Sequence, residues 1–211
     1  VATRSVHKMK EIRAILSEVM GLELVSLDEA GIQYSPEEEE LEPFDTFEEN
    51  ARSKAVYFQK KSGFPTVADD SGLEVDALGG APGVRTKRFA PGEDLDAEAR
   101  DRANNAYLLE SLAGKHPPDR SARYVCVAAL AWDPERVEIF RGEAPGVVLD
   151  SPRGSGGFGY DPIILDERSG RSFAELTPDE KNDRSHRGRA FRAMGEALKG
   201  RRPESQSMTE I

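Results

Sequence analysis

Val67-Ala68-Asp69-Asp70-Ser71-Gly72 sets two adjacent carboxylates at the end of an apolar stretch. Thr66–Asp69 reads as a short strand, Ser71-Gly72 as the turn after it, and Leu73-Glu74-Val75 as a candidate for a further strand. Upstream, Thr46-Phe47-Glu48-Glu49 fits a capping box, and the helix it opens runs to about Lys61, where Gly63-Phe64-Pro65 breaks it. Met9, Ile12, Ile15, Leu16 and Val19 recur at helical spacing and predict a helix over Lys8–Val19. Leu22–Leu27 reads as a strand, and the acidic stretch 34–45 as a loop. Downstream, the glycine- and proline-rich residues 79–93 predict a long structured loop. Asp96–Leu112 reads as a helix stopped by Gly114. Arg123–Trp132 and Arg136–Arg141 read as paired strands around Asp133-Pro134, with Val147-Val148-Leu149 a further strand. Thr177-Pro178-Asp179-Glu180 combines an N-cap, an N1 proline and a capping glutamate, and Ser185 caps a last helix, His186–Lys199. Strands alternate with helices, so the expected class is α/β: a two-lobed mixed sheet flanked by helices around a central substrate cleft. Residues 1–200 are expected to form this one domain, and 201–211 a polar, disordered tail.

With 211 residues the chain is long enough to bury a sizeable core. A net charge of -10 argues against a nonspecific grip on a nucleic-acid polymer, although a local basic pocket can still take a small nucleotide. The single cysteine, Cys126, lies in an apolar run and reads as a buried small hydrophobe; it cannot form an internal disulfide. No apolar run approaches the roughly 18 residues of a membrane span, and no signal-peptide pattern is present. The expected location is the cytoplasm, with no membrane partner.

Three groups of residues carry chemistry. Asp69 and Asp70 repel each other unless a cation neutralises them, and a magnesium site uses one or two carboxylates with waters and substrate phosphates. Glu37-Glu38-Glu39-Glu40-Leu41-Glu42 is a second acidic source. Gly154-Ser155-Gly156-Gly157-Phe158-Gly159 matches G-x-G-x-x-G, but Tyr160-Asp161-Pro162 follows where a dinucleotide fold needs a helix. A plain turn and a glycine-lined ligand wall remain; Phe158 and Tyr160 favour the wall, since their rings can stack on a nucleobase. Lys8, Lys181, His186 and Arg187 are candidate phosphate ligands, with Lys8 and the His186-Arg187 pair at helix starts that attract anions. The residues alone point to a metal-dependent enzyme acting on a nucleotide.

These residues also resemble a known family, the Ham1/RdgB inosine triphosphate pyrophosphatases. The likeness runs from Ala2 to about Leu198. It is carried by Ala2-Thr3-x-x-x-x-Lys8-x-x-Glu11-Ile12, Thr46-Phe47-Glu48-Glu49-Asn50-Ala51-x-x-Lys54-Ala55, Ala68-Asp69-Asp70-Ser71-Gly72-Leu73, Leu78-Gly79-Gly80-Ala81-Pro82-Gly83-Val84, Gly156–Pro162, and Ala174-Glu175-Leu176 through Lys181 to Ser185-His186-Arg187. The resemblance implies magnesium-dependent hydrolysis of noncanonical purine nucleoside triphosphates (ITP, dITP, XTP) to monophosphate and pyrophosphate by a homodimer. On that likeness Asp70 would be the metal-linked carboxylate and proton acceptor, with Asp69 as its neighbour in the catalytic pair. Thr3, Ser5 and Lys8 would hold phosphates, and Ser71 would touch substrate. Phe158, Gly159, Tyr160 and Asp161 would surround the base. Lys181, His186 and Arg187 would contact base or polyphosphate. The second metal carboxylate would be Glu42, or else Glu38. Arg4 stands where glycine is usual and Ser5 where asparagine is usual, which is expected to add bulk and charge to the phosphate turn. Glu42-Pro43-Phe44 replaces acid-Thr-Gly, and Arg85-Thr86-Lys87-Arg88-Phe89 replaces Tyr-Ser-Ala-Arg-Tyr, keeping only Arg88. A weakened nucleotide-binding protein and an enzyme with another base preference are the alternatives.

Overall fold

β1, Thr66–Val75, pairs along its whole length with β3, Ser121–Ala131, from Thr66 opposite Ala131 to Val75 opposite Ala122. In this computed structural model, which describes residues 1–92, 95–116 and 119–200, the two strands form the middle of a six-stranded sheet. Its order is β2-β1-β3-β4-β5-β6, with β2 at Pro82–Gly83, β4 at Val137–Val148, β5 at Ile164–Asp166 and β6 at Arg171–Ser172. The α/β class holds, but every strand pairing among the described residues is antiparallel, where a mixed sheet was expected.

β3 returns as β4 through the short Asp133 turn, whose carboxylate accepts from the backbone N–H groups of Glu135 and Arg136, which makes this pair antiparallel. β4 absorbs the separate strand expected at Val147. Leu22–Leu27, expected as a strand, has no ladder; the Val1 ammonium donates to the Val25 carbonyl at 2.7 Å, and the Leu27 carbonyl accepts from the Ile32 N–H at 2.8 Å.

The largest correction falls on the opening motif. Asp69 and Asp70 do not end a strand; they sit in the middle of β1, and Ser71-Gly72 continue it. Gly72 permits this. A Cβ there would lie 2.3 Å from the Gly83 carbonyl oxygen, so only glycine lets β2 close against β1.

Helices cover both faces of one end of the sheet. α1 (Val6–Leu16) and α5 (His186–Lys199) pack on one face, burying Ile12, Leu16, Phe191 and Met194 against Val67, Cys126, Ala128 and Leu130. α2 (Phe47–Ser62) packs on the other, burying Phe47, Ala51, Ala55 and Phe58 against Ala68, Val125, Val127 and Ala129. This two-sided cover explains why β3 is almost continuously apolar. At the other end, Leu108 and Leu112 of α3 (Ala97–Ser111 and the turn after it) join Leu73, Val75, Tyr124, Ile163 and Phe173 in a separate core. α4, Pro178–Arg184, leads into α5, and Ser185 caps α5 as expected, accepting from the Gly188 N–H at 3.0 Å. α1 begins two residues earlier than expected because Ser5 is its N-cap. The tail 201–211 lies outside the described residues.

Candidate active site

Successive side chains on a strand point to opposite faces, so β1 sends its two aspartates into different surroundings. Asp69 points to the α1/α5 face. Its Oδ2 accepts from Lys8 Nζ at 2.8 Å, Ser71 Oγ at 3.0 Å and Arg187 Nη2 at 3.4 Å. Lys8 comes from the first turn of α1 and Arg187 from the first turn of α5, so the two cationic helix starts converge on one carboxylate. Burial on its own would raise the Asp69 pKa; Lys8, Arg187 and Lys54 overcome it and hold the carboxyl well below the usual range. Lys8 is lowered to about 8, by burial first, because Asp69 is outweighed by that burial together with Lys87, Arg187 and Lys54 nearby. Arg187 also pairs with Glu11, which reaches Lys181 Nζ at 2.9 Å.

Asp70 points to the α2 face. Its Oδ2 accepts from Asn50 Nδ2 at 3.0 Å and its Oδ1 from the Ser71 N–H at 2.9 Å. Asn50 also bonds both the N–H and the carbonyl of Phe44, at 2.9 and 3.1 Å, which ties the segment after Glu42 to β1. Burial and then the negative charge of Glu42 raise the Asp70 pKa. Glu42 itself pairs with Lys54 of α2. The two neighbouring aspartates therefore differ in kind. Asp69 is saturated by cations, whereas Asp70 and Glu42 form a like-charged pair to which a further cation would be attracted.

Among the described residues no three His, Cys, Asp or Glu side chains gather into a protein-only metal cage. Two carboxylates, Glu42 on the wall of the cleft and Asp70 buried behind that wall, suit magnesium, which keeps waters and takes substrate oxygens as its other ligands. Glu38 also lines the cleft, but both its oxygens are taken by Arg4, at 3.0 and 2.8 Å.

The glycine-rich turn forms the opposite wall. Gly157 has φ of 72°, and a Cβ there would meet Asp161 Oδ2 at 2.1 Å. This close approach lets Asp161 organise the turn. Its Oδ2 accepts from the Phe158 N–H at 2.9 Å and Lys181 Nζ at 2.7 Å, and its Oδ1 from Tyr124 Oη at 3.2 Å. Phe158 stands beneath Lys181 Nζ, 4.4 Å from the ring centroid, and stacks on His7 at 5.5 Å. Tyr160 donates to the Thr86 carbonyl at 2.8 Å, so its hydroxyl is taken. Gly159 is gripped from α3: its N–H donates to Asp101 at 2.7 Å and its carbonyl accepts from Asn105 at 3.0 Å. His186 is buried and stacks on Tyr124 at 4.8 Å. Burial, then Arg187 and Lys181, push its pKa well below the usual histidine range, so the ring is neutral, and its Nδ1 has no partner among the described residues.

Between these walls lies a cleft of about 970 Å3. Each substrate residue expected from the sequence lines it, from Thr3 through Ser71 and the Phe158 turn to Arg187, as does Glu42. Asp69 and Asp70 lie beneath the wall, behind Ser71 and Lys54. Lys87, Lys54, Asp101 and Asn105 also line the cleft and were not singled out in the sequence. Lys54 and Asn50 stood inside a quoted motif at i, i+4 on one helix face, a spacing that could have revealed them.

Residues 1–197 match one family model, that of the Ham1 family. A dITP/XTP pyrophosphatase of Thermus thermophilus is 42% identical over 199 residues, covering 94% of this chain and 90% of the relative. One from Frankia alni is 44% identical over 200 residues, covering 94% and 96%. The solved structure of a HAM1 protein from Coxiella burnetii superposes with a TM-score of 0.82 at 34% identity, covering 95% of this chain and 97% of that one. The extent of these matches, together with the paired aspartates of β1 and the cleft around them, establishes that the chain belongs to the Ham1 family.

Proposed function

We propose that the chain hydrolyses noncanonical purine nucleoside triphosphates (ITP, dITP and XTP) to the monophosphate and pyrophosphate, with magnesium, and so cleanses the nucleotide pool. The observation that carries this reading is the division of labour on β1: one aspartate gathers cations, the other faces a second carboxylate. Asp70 and Glu42 would hold the magnesium ion, which when bound neutralises phosphate oxygens and makes a bound water more acidic. Asp70 orients the attacking water and takes its proton as the oxygen bonds to the α-phosphorus; the bond to the bridging oxygen breaks and pyrophosphate leaves. Lys8, Arg187 and Lys87 offset the charge on the phosphates, and Thr3 and Ser5 place the first turn of α1 against them. Positioning and electrostatics of this kind supply most of the catalysis in phosphoryl transfer.

The base lies on Phe158. A 6-oxo group accepts from Lys181 or from the neutral His186 ring, whereas the 6-amino group of adenine leaves those donors unpaired. Pyrophosphate release from ITP, dITP, XTP, GTP and ATP, with magnesium and with chelator, tests the reading. Fast metal-dependent release from ITP and XTP is expected; equal rates with ATP sink the account of base selection. A homodimer belongs to the same proposal, checked by sedimentation, and so does a cytoplasmic location; no helix among the described residues is long and apolar enough to cross a membrane.

Phe158→Ala is expected to raise KM for ITP roughly tenfold or more, since stacking on an aromatic ring contributes about 1–3 kcal/mol per base, with a smaller change in kcat. An unchanged KM would remove Phe158 from the base site. Lys8 gives a pH test. Its pKa near 8 means that it is charged below that value and neutral above it. KM for ITP should therefore climb between pH 7 and 9, and Lys8→Met should flatten the climb while weakening binding throughout.

A further inference from the structure

Arg4, a departure from the family pattern, does not crowd the phosphate turn. It lies on the wall of the cleft, and its guanidinium spends its donors on residues between 28 and 38. Nε and Nη2 fork onto the Glu38 carboxylate at 3.0 and 2.8 Å; Nη1 donates to Asp28 Oδ1 and to the Ile32 carbonyl, both at 3.0 Å. A fork of this kind fixes direction as well as distance. Glu38 is in turn the capping residue of the 3-10 turn Pro36–Glu40, accepting from the Ser35 N–H at 3.2 Å. After that turn the chain buries Leu41 beside Ala2 and Phe47, and the next residue is Glu42.

We propose that Arg4 is a positioning residue: by holding Glu38 it fixes the acidic segment 33–42 to the phosphate turn and so sets Glu42 in place beside Asp70. This deepens the metal-dependent reading above and rests on it. The sequence neighbours of Arg4 are the reason the link matters. Thr3 Oγ1 accepts from the Ser5 N–H at 3.2 Å, and Ser5 Oγ from the Lys8 N–H at 3.3 Å. One residue thus joins the start of α1, where phosphates would lie, to the segment bearing the second metal carboxylate.

Arg4→Met, Glu38→Gln and the double variant would be compared with wild type in three readouts. These are Mn2+ binding without nucleotide by electron paramagnetic resonance, the magnesium concentration that half-activates ITP hydrolysis, and amide hydrogen exchange across residues 33–42. Lys199→Met, which breaks the exposed pair with Glu196 outside the cleft lining, controls for the loss of a surface salt bridge. Expected are Mn2+ affinity weakened about 10-fold or more in each single variant, no further loss in the double variant, and faster exchange confined to the acidic segment. The reversed pair, Arg4→Glu with Glu38→Arg, should recover part of the affinity. Glu38→Gln separates this role from direct contact with phosphate, because it keeps the cation; if it binds Mn2+ as wild type does while Arg4→Met loses turnover, Arg4 acts on substrate and the proposal falls. Unchanged exchange in Arg4→Met also overturns it. If wild type binds no Mn2+ and hydrolyses no triphosphate, it is the functional reading that fails, a result distinct from a wild type that binds Mn2+ and an Arg4→Met variant that binds it equally.

Discussion

Asp70→Asn is expected to reduce ITP turnover by about 100- to 10,000-fold, the range in which a general base contributes, while the protein keeps its fold and its midpoint of thermal unfolding within a few degrees. Two small effects on stability oppose each other. Asn offers only one acceptor oxygen, so the bond from Asn50 or that from the Ser71 N–H is lost, costing about 1 kcal/mol. Against this, the variant removes one of two buried like charges: Asp70 is raised in pKa by burial and by Glu42, so its ionised form is held at some cost. Residues placed for chemistry rather than stability show this pattern. The check is a pair of measurements on the same preparation, pyrophosphate release and thermal unfolding with and without magnesium. The variant should unfold near the wild-type temperature without metal and gain less from adding it. Turnover near that of wild type would end the assignment of Asp70 as proton acceptor.

Much of the chemistry was legible before the fold was known, because polar groups brought together from distant elements sit in short local motifs. Thr46, Thr177 and Ser185 announced three helix starts through their caps, and the structure has each of them. The strand through Asp69 and Asp70 was not legible. Local reading treats two charges followed by Ser-Gly as a turn, and only the antiparallel partner β3, whose Val127 and Ala128 lie opposite, shows why the charges stay in a ladder. The partners that make them tolerable there are remote in sequence: Lys8 and Arg187 on one face, Asn50 and Lys54 on the other. Leu22–Leu27 failed in the opposite sense. Its apolar residues suggested a strand, but the stretch makes only scattered backbone bonds, such as that from the Val1 ammonium to the Val25 carbonyl, and no ladder. Arg4 was read as an intruder in the phosphate turn because sequence alone does not say which way a long side chain leaves the backbone; Glu38, Asp28 and the Ile32 carbonyl decide that.

Asp69→Asn should produce a change of a different kind from its neighbour, a loss of stability. Among the described residues Asp69 is the one carboxylate in direct contact with both Lys8 and Arg187, and all three groups are buried. Replacing it with a neutral amide leaves two cations facing each other out of water, with Glu11 the remaining partner of Arg187. Removing one side of a buried ion pair costs about 3–5 kcal/mol, which for a chain of this size lowers the unfolding midpoint by roughly 10 °C. The pH dependence identifies the cause. A carboxylate held well below its ordinary pKa of 3.8 stabilises the fold at every pH above the unfolded value, and that stabilisation is lost only as pH falls through the lower, folded value. The Asp69 charge itself is lost only in stronger acid, so the gap between wild type and variant should not close between pH 8 and pH 5. Lys8, already lowered to about 8 with Asp69 beside it, falls further without it, so the gap should widen as pH drops through that range. High phosphate should narrow it by supplying an anion to the two cations at the cleft wall. If Asp69→Asn unfolds at the wild-type temperature at pH 7, Lys8 and Arg187 do not depend on Asp69, and the division of labour between the two aspartates is wrong.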